Sequence, residues 1–352
     1  MRKSRLALLT GNRGFFGQTR KPWVSMDVAK MVRVFEAAGL KPEVMPFHAV
    51  VNGVADVRDA VVFYAFSQKP NLRQYIIDTI RFLDNGTNFI VPRYDLLLCH
   101  ENKGYQELFK RRLGIESLAS FFFSGADDLS GYPVPFPVVL KSVDTSNGEG
   151  VFLVRNEAEL VKRIRGLERQ SLATRLDLFR RKYLRRKKQH PYYPDYDNRT
   201  DCLQYRDYIR KERNFILQEF APGLTWDWRV QAMAGKYYVI RRRTFKNDFR
   251  ASGTKLHEFS READPALLDF ADGIFRKMDA PFLSMDIGKT AKGYCLFEFQ
   301  ALHFGVNSVI KSPGYHSRDG SAWRFTEARS EIETEIASGL VRYLDGREPD
   351  RG

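Results

Sequence analysis

The segment from Phe282 to Gln300 reads FLSMDIGKTAKGYCLFEFQ and predicts a β-hairpin that carries carboxylates inside otherwise apolar strands. A turn centred near Lys292 would bring Asp286 opposite Glu298, because paired residues lie equally far from the turn. The strand period of two places Gln300 on the same face as Glu298. An unpaired buried carboxylate is costly, so the structure must compensate these side chains.

Two kinds of partner could compensate the hairpin carboxylates. The period of two turns Phe297 and Phe299 to the opposite face, which leaves a cluster of hard oxygen ligands of the kind that Mg²⁺ selects. The alternative is a salt bridge from the carboxylates to Arg241 or Arg243, which precede the hairpin in the chain. The spacing favours neither explanation.

Residues upstream of the hairpin extend an antiparallel sheet. WDWRVQAM (226–233) and KYYVIRRRTF (236–245) are two β-rich runs joined across Ala234 and Gly235. Asp264 and Pro265 predict the cap and first turn of a helix, and the apolar spacing from Ile332 to Leu344 predicts a final helix.

The first hundred residues alternate short apolar strands with amphipathic helices, which predicts an open α/β layer with a largely parallel sheet. The predicted strands are Leu6–Leu9, Val61–Phe66 and Phe89–Val91. Ser25 is the predicted N-cap of the first helix and Gly39 its stop, and a second helix is predicted from Leu72 to Leu83.

A further hairpin, FPVVLKSVDTSNGEGVFLV, contains a Ser/Asn/Gly loop that suits phosphate binding. Its glycines, Gly148 and Gly150, would let backbone N–H groups approach phosphate oxygens, and Lys141 offers a fixed positive charge beside them. An ordinary turn without a ligand is the alternative.

The order of these pieces along the chain resembles the ATP-grasp superfamily. The series is Asn102-Lys103, Lys141 with its Gly loop, and then LQEFAPG, DWR, RRR, NDFRASG, MDI and EFQ. The likeness is closest to the ribosomal-protein glutamate ligases and covers the chain from about Phe89 to Val309. It implies an α/β (α+β) fold with an N-terminal Rossmann-like domain (1–100), a central subdomain (101–214) and a C-terminal subdomain (215–352), the last two clasping ATP.

The resemblance also assigns roles to residues. Those at the nucleotide would be Lys103 and Lys141 on the phosphates, Ser146, Gly148 and Gly150 in the loop, Gln218, Glu219, Phe220 and Ala221 at the adenine, and Asp227 at the ribose. Arg250, with Lys141, would serve catalysis at the phosphate or acyl phosphate, and Asp286, Glu298 and Gln300 would hold Mg²⁺, with Mn²⁺ as an alternative.

Two positions depart from the family pattern. The family usually has Asn where this chain has the longer Gln300, so either Gln300 still reaches the metal or Asp286 and Glu298 hold it with an extra water. Related ligases carry Asn where this chain reads Ala251-Ser252, so the resemblance assigns Ser252 no role at the phosphates.

The function that the resemblance implies is ATP-dependent ligation of a carboxylate to an amine through an acyl phosphate, with release of ADP and phosphate. Its partners would be ATP, a carboxylic acid and an amine, one of them acidic or polymeric. A kinase built on the same fold is the first alternative. The second is a protein that binds nucleotide or nucleic acid without ligase activity.

Charge and composition limit the remaining classes of function. Of the 352 residues, 57 are Lys or Arg and 43 Asp or Glu, and the stretch from Lys162 to Arg213 supplies +10 of the net +14. This stretch contains seven cations between Arg180 and Lys188, which predict either a solvated basic helix or an arm that attracts an acidic acceptor. Nucleic acid is disfavoured, because Tyr192, Tyr193 and Tyr196 lie apart from the basic run.

The location that we expect is a reducing cytoplasm. No apolar run approaches the length of a membrane span, and the apolar start Leu6–Leu9 is too short for a signal peptide. The three cysteines are odd in number and widely spaced, unlike a disulfide framework or a zinc site.

Overall fold

The computed structural model describes residues 5–17, 21, 23–67, 69–143, 150–167, 172–184, 203–206, 208, 213–243 and 257–347. These residues form two compact units. The first contains the described residues up to Leu118 and from Ala221 onward, and the second contains those from Ala119 to Phe220. The expected division into three domains, at residues 100 and 214, stays a prediction.

The N-terminal part of the first unit is an α/β layer. Its strands are β1 (Arg5–Thr10), β2 (Lys41–Pro46), β3 (Val61–Tyr64) and β4 (Phe89–Val91). Its helices are α1 (Val28–Ala37), α2 (Phe47–Val51), α3 (Pro70–Leu83), α4 (Tyr94–Cys99) and α5 (Lys103–Arg112). The strands pair in the order β2-β1-β3-β4, and every pairing is parallel, as the alternating pattern predicts.

The local signals of the first helix are partly confirmed. Helix α1 ends at Ala37, and Gly39 follows with a φ of +78°, which favours glycine. The predicted N-cap Ser25 is wrong, because the cap is Asp27, whose side chain accepts a hydrogen bond from the backbone N–H of Lys30 at 2.9 Å. The Ser25 hydroxyl instead accepts from the N–H of Phe16 at 3.1 Å, so it fixes the preceding loop.

The second unit contains a smaller antiparallel sheet. Its strands are β5 (Ser120–Phe123), β6 (Val138–Ser142), β7 (Val151–Val154) and β8 (Phe215–Glu219), in the order β5-β8-β6-β7. Its helices among the elements that the structure bounds are α6 (Glu157–Leu167) and α7 (Leu172–Phe179), and α7 continues into a π-helical turn (Arg180–Leu184). The predicted hairpin is confirmed as β6 paired with β7.

The C-terminal part of the first unit contains a larger sheet. Its strands are β9 (Trp226–Met233), β10 (Lys236–Arg243), β11 (His257–Phe259), β12 (Phe282–Thr290), β13 (Gly293–Gln300), β14 (Gly314–Asp319) and β15 (Ala322–Glu327). The order is β13-β12-β9-β10-β14-β15, with β11 beside β10. The helices are α8 (Pro265–Met278), α9 (Asn307–Ile310) and α10 (Ile332–Asp345), and Asp264 caps α8 as predicted.

Packing divides the larger sheet into faces of different polarity. One face buries Val230, Met285 and Phe299 against apolar residues of α5 and α8. On the other face, Tyr238 and Phe282 join the core of the N-terminal layer and of α10. Polar side chains occupy the middle of this second face. The candidate site lies among them. Among the described residues, none of the helices has the length and apolar content needed to cross a membrane.

Candidate active site

A row of charged residues crosses three strands of the larger sheet. Asp286 of β12 lies opposite Glu298 of β13 on one side and opposite Arg229 of β9 on the other. Directly opposed residues project to the same face, so the three side chains are neighbours. Gln300 follows on the same strand face, with its Nε2 3.5 Å from Glu298 Oε1. The hairpin therefore has the predicted pairing of Asp286 with Glu298.

A β-bulge in β13 produces this pairing. At the turn, Thr290 pairs with Gly293, and this register would place Phe297 opposite Asp286. The register shifts by one residue between Asp286 and Ile287, so Glu298 takes that position and Phe297 is the extra residue.

The bulge also corrects the predicted face of Phe297. A side-chain carbon at Gly288 would collide with the Phe297 ring, so this ring covers the face of β12 that carries Asp286. Phe299 is buried in the core as predicted. The period of two fails at Phe297, because a bulge turns two successive side chains to similar directions.

Lys110 of α5 donates hydrogen bonds to the backbone of the bulge. Its ammonium group is fully buried and donates to the carbonyl oxygens of Leu296 at 3.3 Å and Phe297 at 3.2 Å. It also pairs with the Glu107 carboxylate at 2.8 Å. These carbonyls immediately precede Glu298, so the buried pair sets the backbone from which Glu298 projects. Lys110 begins the basic run Lys110-Arg111-Arg112, so nothing in the sequence distinguished it from its neighbours, and this role was not predicted.

Two arginines neutralise Asp286. Arg229 donates through Nε to Oδ1 at 2.8 Å and through Nη2 to Oδ2 at 2.9 Å. Arg242 reaches Oδ2 at 3.0 Å and holds Asp227 through two bonds of 2.6 and 2.7 Å. Burial opposes ionisation of Asp286, but the two guanidinium groups outweigh it and hold the pKa of this carboxyl below its usual value. The four groups together carry no net charge.

The predicted salt bridge exists with different arginines from those expected. Successive side chains of β10 project to opposite faces of the sheet. Arg242 is therefore on the face of the charged row, and Arg241 and Arg243 are on the other face. The Arg241 guanidinium instead lies 3.6 Å from the centroid of the Trp226 ring. The predicted pairing of the hairpin carboxylates with Arg241 or Arg243 is therefore wrong, because both of these side chains project from the opposite face of the sheet.

The oxygen atoms of Asp286, Glu298 and Gln300 are of the type that binds a divalent cation, but together they offer little negative charge. An ionised carboxylate has about four acceptor positions, and the arginines occupy three of those on Asp286, which leaves one on Oδ1. Glu298 adds a carboxylate and Gln300 an amide oxygen. The described part of the chain has no group of three or more His, Cys, Asp or Glu that could hold a metal, so a cation bound here would need the Gln300 amide oxygen as a further ligand. Phosphate oxygens of a nucleotide would have to supply the missing negative charge.

In the second unit, the predicted phosphate lysine and an adenine-hinge residue lie together. Lys141 of β6 donates from Nζ to Gln218 Oε1 at 2.6 Å, across the pairing of β6 with β8. The Gln218 amide nitrogen donates to Ser120 Oγ at 2.9 Å, which orients it. Gly150 has a φ of +66°, and its carbonyl accepts the Ser142 N–H at 2.9 Å, so it closes the base of the loop.

The other predicted residues are spread over the two units. Lys103 is the first residue of α5, directly after the N-cap Asn102. Glu219 ends β8 and accepts the Ala119 N–H at 3.3 Å, and the chain passes to the first unit between Phe220 and Ala221. Several predicted residues lie outside the described residues: Ser146, Gly148, Arg250, Ser252 and the basic run 185–188. All of these functional roles stay predictions.

The first unit also contains a pair of buried histidines that was not predicted from the sequence. The His100 ring is buried, with its centroid 4.1 Å from that of Phe66 and 6.0 Å from that of His303. Burial lowers the pKa of His303 to about 4 and also lowers that of His100. Both imidazoles are therefore neutral near pH 7, and isolated histidines give no signal in a single sequence.

Comparisons with known proteins identify the fold. Neither a family model nor a curated protein sequence matches the chain. The fold is similar to the crystal structure of D-cycloserine synthetase, with a TM-score of 0.51 at 12% identity over 97% of this chain and 99% of that one. It is also similar to the RimK domain protein ATP-grasp from Sphaerobacter thermophilus (TM-score 0.50, 14% identity, 96% and 98% covered).

A third similar structure is the D-alanine–D-alanine ligase from Bacillus anthracis complexed with ATP. Its TM-score is 0.50 at 12% identity, with 97% of this chain and 99% of that chain covered. At this level of identity the likeness establishes architecture, and the architecture common to these structures is the α+β ATP-grasp fold, as the resemblance implied.

Proposed function

We propose, from its ATP-grasp fold, that this chain is an ATP-dependent ligase that joins a carboxylic acid to an amine. A fold by itself is compatible with several reactions, so the proposal depends on the charged face of the larger sheet. The observation that carries it is the placement of Glu298 and Gln300 beside the Asp286–Arg229 pair, which combines oxygen donors and guanidinium groups on one surface.

The proposed reaction has two steps. A carboxylate oxygen of the acid attacks the γ-phosphorus of ATP, the bond to the β–γ bridging oxygen breaks, and ADP leaves. The amine nitrogen then attacks the acyl carbon, the bond to the phosphate oxygen breaks, and phosphate leaves while the nitrogen loses a proton. Neither step needs a nucleophilic side chain, so the residues act by placement and by neutralising charge.

Each charged residue has a distinct proposed task. Lys103 and Lys141 would contact the ATP phosphates, and Arg250 would stabilise the charge that develops on the transferred group. Gln218 holds Lys141 at 2.6 Å, so the lysine is oriented before ATP binds. Hydrogen bonds from charged Lys and Arg side chains to phosphate oxygens are charge-assisted and therefore strong.

The acidic row would form the metal end of the site. Mg²⁺, when bound, would screen the charge of the phosphates and act as a Lewis acid at the transferred group. Glu298 and Gln300 would hold it, with one oxygen of Asp286. Arg229 and Arg242 keep Asp286 ionised and fix its orientation, and their charges leave the row one negative charge through Glu298. Asp227, held by Arg242, would receive the ribose hydroxyls.

The test is incubation of the purified chain with ATP, Mg²⁺ and pooled acids and amines, followed by mass analysis. A ligase gives an amide-linked product together with ADP and phosphate in equal amounts. Hydroxylamine in place of the amine should capture the acyl phosphate as a hydroxamate. A phosphorylated product with no amide would instead establish a kinase, and hydrolysis of ATP to AMP would refute the proposed first step.

Single substitutions test whether formation of the amide product depends on the charged row. Glu298→Gln keeps the size of the side chain and removes its charge, so amide formation should be lost. Glu36→Gln is the matched control, because Glu36 is an exposed glutamate on α1 of the same unit. Equal loss in both variants would show that the activity does not depend on the charged row.

A further inference from the structure

The helical segment 172–184 of the second unit, called the 172–184 helix below, exposes an apolar stripe. It comprises α7 and the π-helical turn that follows it. Five of its apolar side chains are between 56 and 76% exposed, namely Leu172, Leu176, Phe179, Tyr183 and Leu184. The first four follow each other at intervals of four, three and four residues, which places them on one side of a helix.

A different side of the 172–184 helix makes its contacts with the protein. Thr174, Asp177 and Leu178 are half-buried there. Asp177 accepts a hydrogen bond from the Tyr205 hydroxyl and another from Arg180 at 2.8 Å. The exposed stripe is therefore not the side by which this helix packs. Exposed apolar side chains at helical spacing mark a surface that binds a partner.

Positive charge borders the stripe. The 13 residues contain four Lys or Arg and one Asp, and at about 100° per residue Arg175 and Arg180 project from opposite borders. Both are exposed, and Lys182 Nζ lies 4.9 Å from the centroid of the Tyr183 ring. The sequence continues directly into Arg185, Arg186, Lys187 and Lys188.

We propose that the 172–184 helix docks the protein on the surface of an anionic lipid bilayer. Aliphatic side chains gain nothing from a soluble polyanion, but they are stabilised in the acyl region just below the headgroups. The flanking arginines then reach the anionic headgroups while their methylene groups cover the boundary. The helix lies in the plane of the interface and does not span it. This proposal is independent of the proposed ligase activity.

Vesicle flotation with the full chain tests the proposal. The probes are vesicles of phosphatidylcholine alone and of phosphatidylcholine mixed with phosphatidylglycerol. The protein should float with the mixed vesicles and remain in solution with the neutral ones. Added salt should weaken the binding without abolishing it, because the apolar contribution is not screened.

Paired variants distinguish binding through the apolar stripe from non-specific binding through other exposed apolar side chains. Leu176→Ser with Phe179→Ser leaves all charges in place and should lower the affinity for mixed vesicles at least tenfold. Val54→Ser with Phe82→Ser is the matched control, because these side chains are 82 and 67% exposed in the other unit. The control should bind like the parent. Circular dichroism checks folding, and Leu172→Ser with Leu184→Ser repeats the test with an independent pair.

Three results would overturn the proposal. The parent could fail to float with mixed vesicles, or the stripe variants could bind them as tightly as the parent. The third is binding of soluble polyglutamate in place of vesicles, which would assign this surface to an acidic polymer.

Discussion

The substitution Lys110→Met removes the buried cation that holds the bulge of β13. Methionine fills a similar volume, so the change deletes the charge and leaves little cavity. The Glu107 carboxylate, 8% exposed, loses a partner at 2.8 Å, and the carbonyls of Leu296 and Phe297 lose a donor. Breaking a buried pair by removing one member costs about 3–5 kcal/mol, so we expect the first unit to lose that much stability.

A second substitution separates the ion pair from the carbonyl contacts. In Lys110→Met with Glu107→Leu both members of the buried ion pair are removed, and the carbonyl oxygens of Leu296 and Phe297 lose the lysine as a donor. We expect this double variant to lose about 1–3 kcal/mol, which is less than the single variant loses. Lys311→Met, at an exposed lysine of the same unit, should stay within about 0.5 kcal/mol of the parent.

Urea unfolding followed by tryptophan fluorescence measures these differences. All four tryptophans, Trp23, Trp226, Trp228 and Trp323, belong to the first unit, so the signal reports that unit. A loss below about 1 kcal/mol in Lys110→Met would refute the reasoning. So would a double variant less stable than the single one, because loss of the Lys110–Glu107 ion pair would then not be the main cost.

The remaining predictions concern ligands and pH. Glu298→Ala should lower Mg²⁺-dependent ATP turnover roughly 100-fold or more, and turnover within threefold of the parent would contradict the metal assignment. Lys141→Met should raise the Kd of ATP about 10- to 100-fold in calorimetry with little change in Tm, whereas a lowered Tm at unchanged affinity would make the lysine structural. Without nucleotide, Mn²⁺ should bind only at roughly millimolar concentration in a paramagnetic resonance titration, because the charged row carries one net negative charge; micromolar binding would contradict this charge count. Burial lowers the pKa of His303 to about 4, so the unfolded chain binds the extra proton between pH 6.5 and 4. His303 should therefore contribute about 3 kcal/mol to the fall in stability as the pH falls through this window, and His303→Gln should remove that contribution.

Local sequence patterns predicted many of the helices and strands but not all of them. The alternation of apolar runs predicted the parallel layer, and the turn at Ala234-Gly235 and the cap at Asp264 lie where the residue types require. Strand β2 (Lys41–Pro46) went unpredicted, because two prolines and two charged residues interrupt its pattern. An edge strand tolerates them, since one side of it makes no ladder hydrogen bonds.

Tertiary structure decided the candidate site. The hairpin sequence predicted that Asp286 and Glu298 face each other, but the register at the turn would have placed Phe297 opposite Asp286, and the bulge decided the pairing. It could not choose Arg229 and Arg242 among the arginines of β9 and β10, since that choice depends on which strand lies beside β12 and in which register. The carbonyl of Phe297 at the bulge likewise accepts from Lys110, 187 residues earlier in the chain. Periodicity along one strand describes only the directions of its own side chains, whereas the partners of a buried charge come from whichever elements the folded core brings next to it.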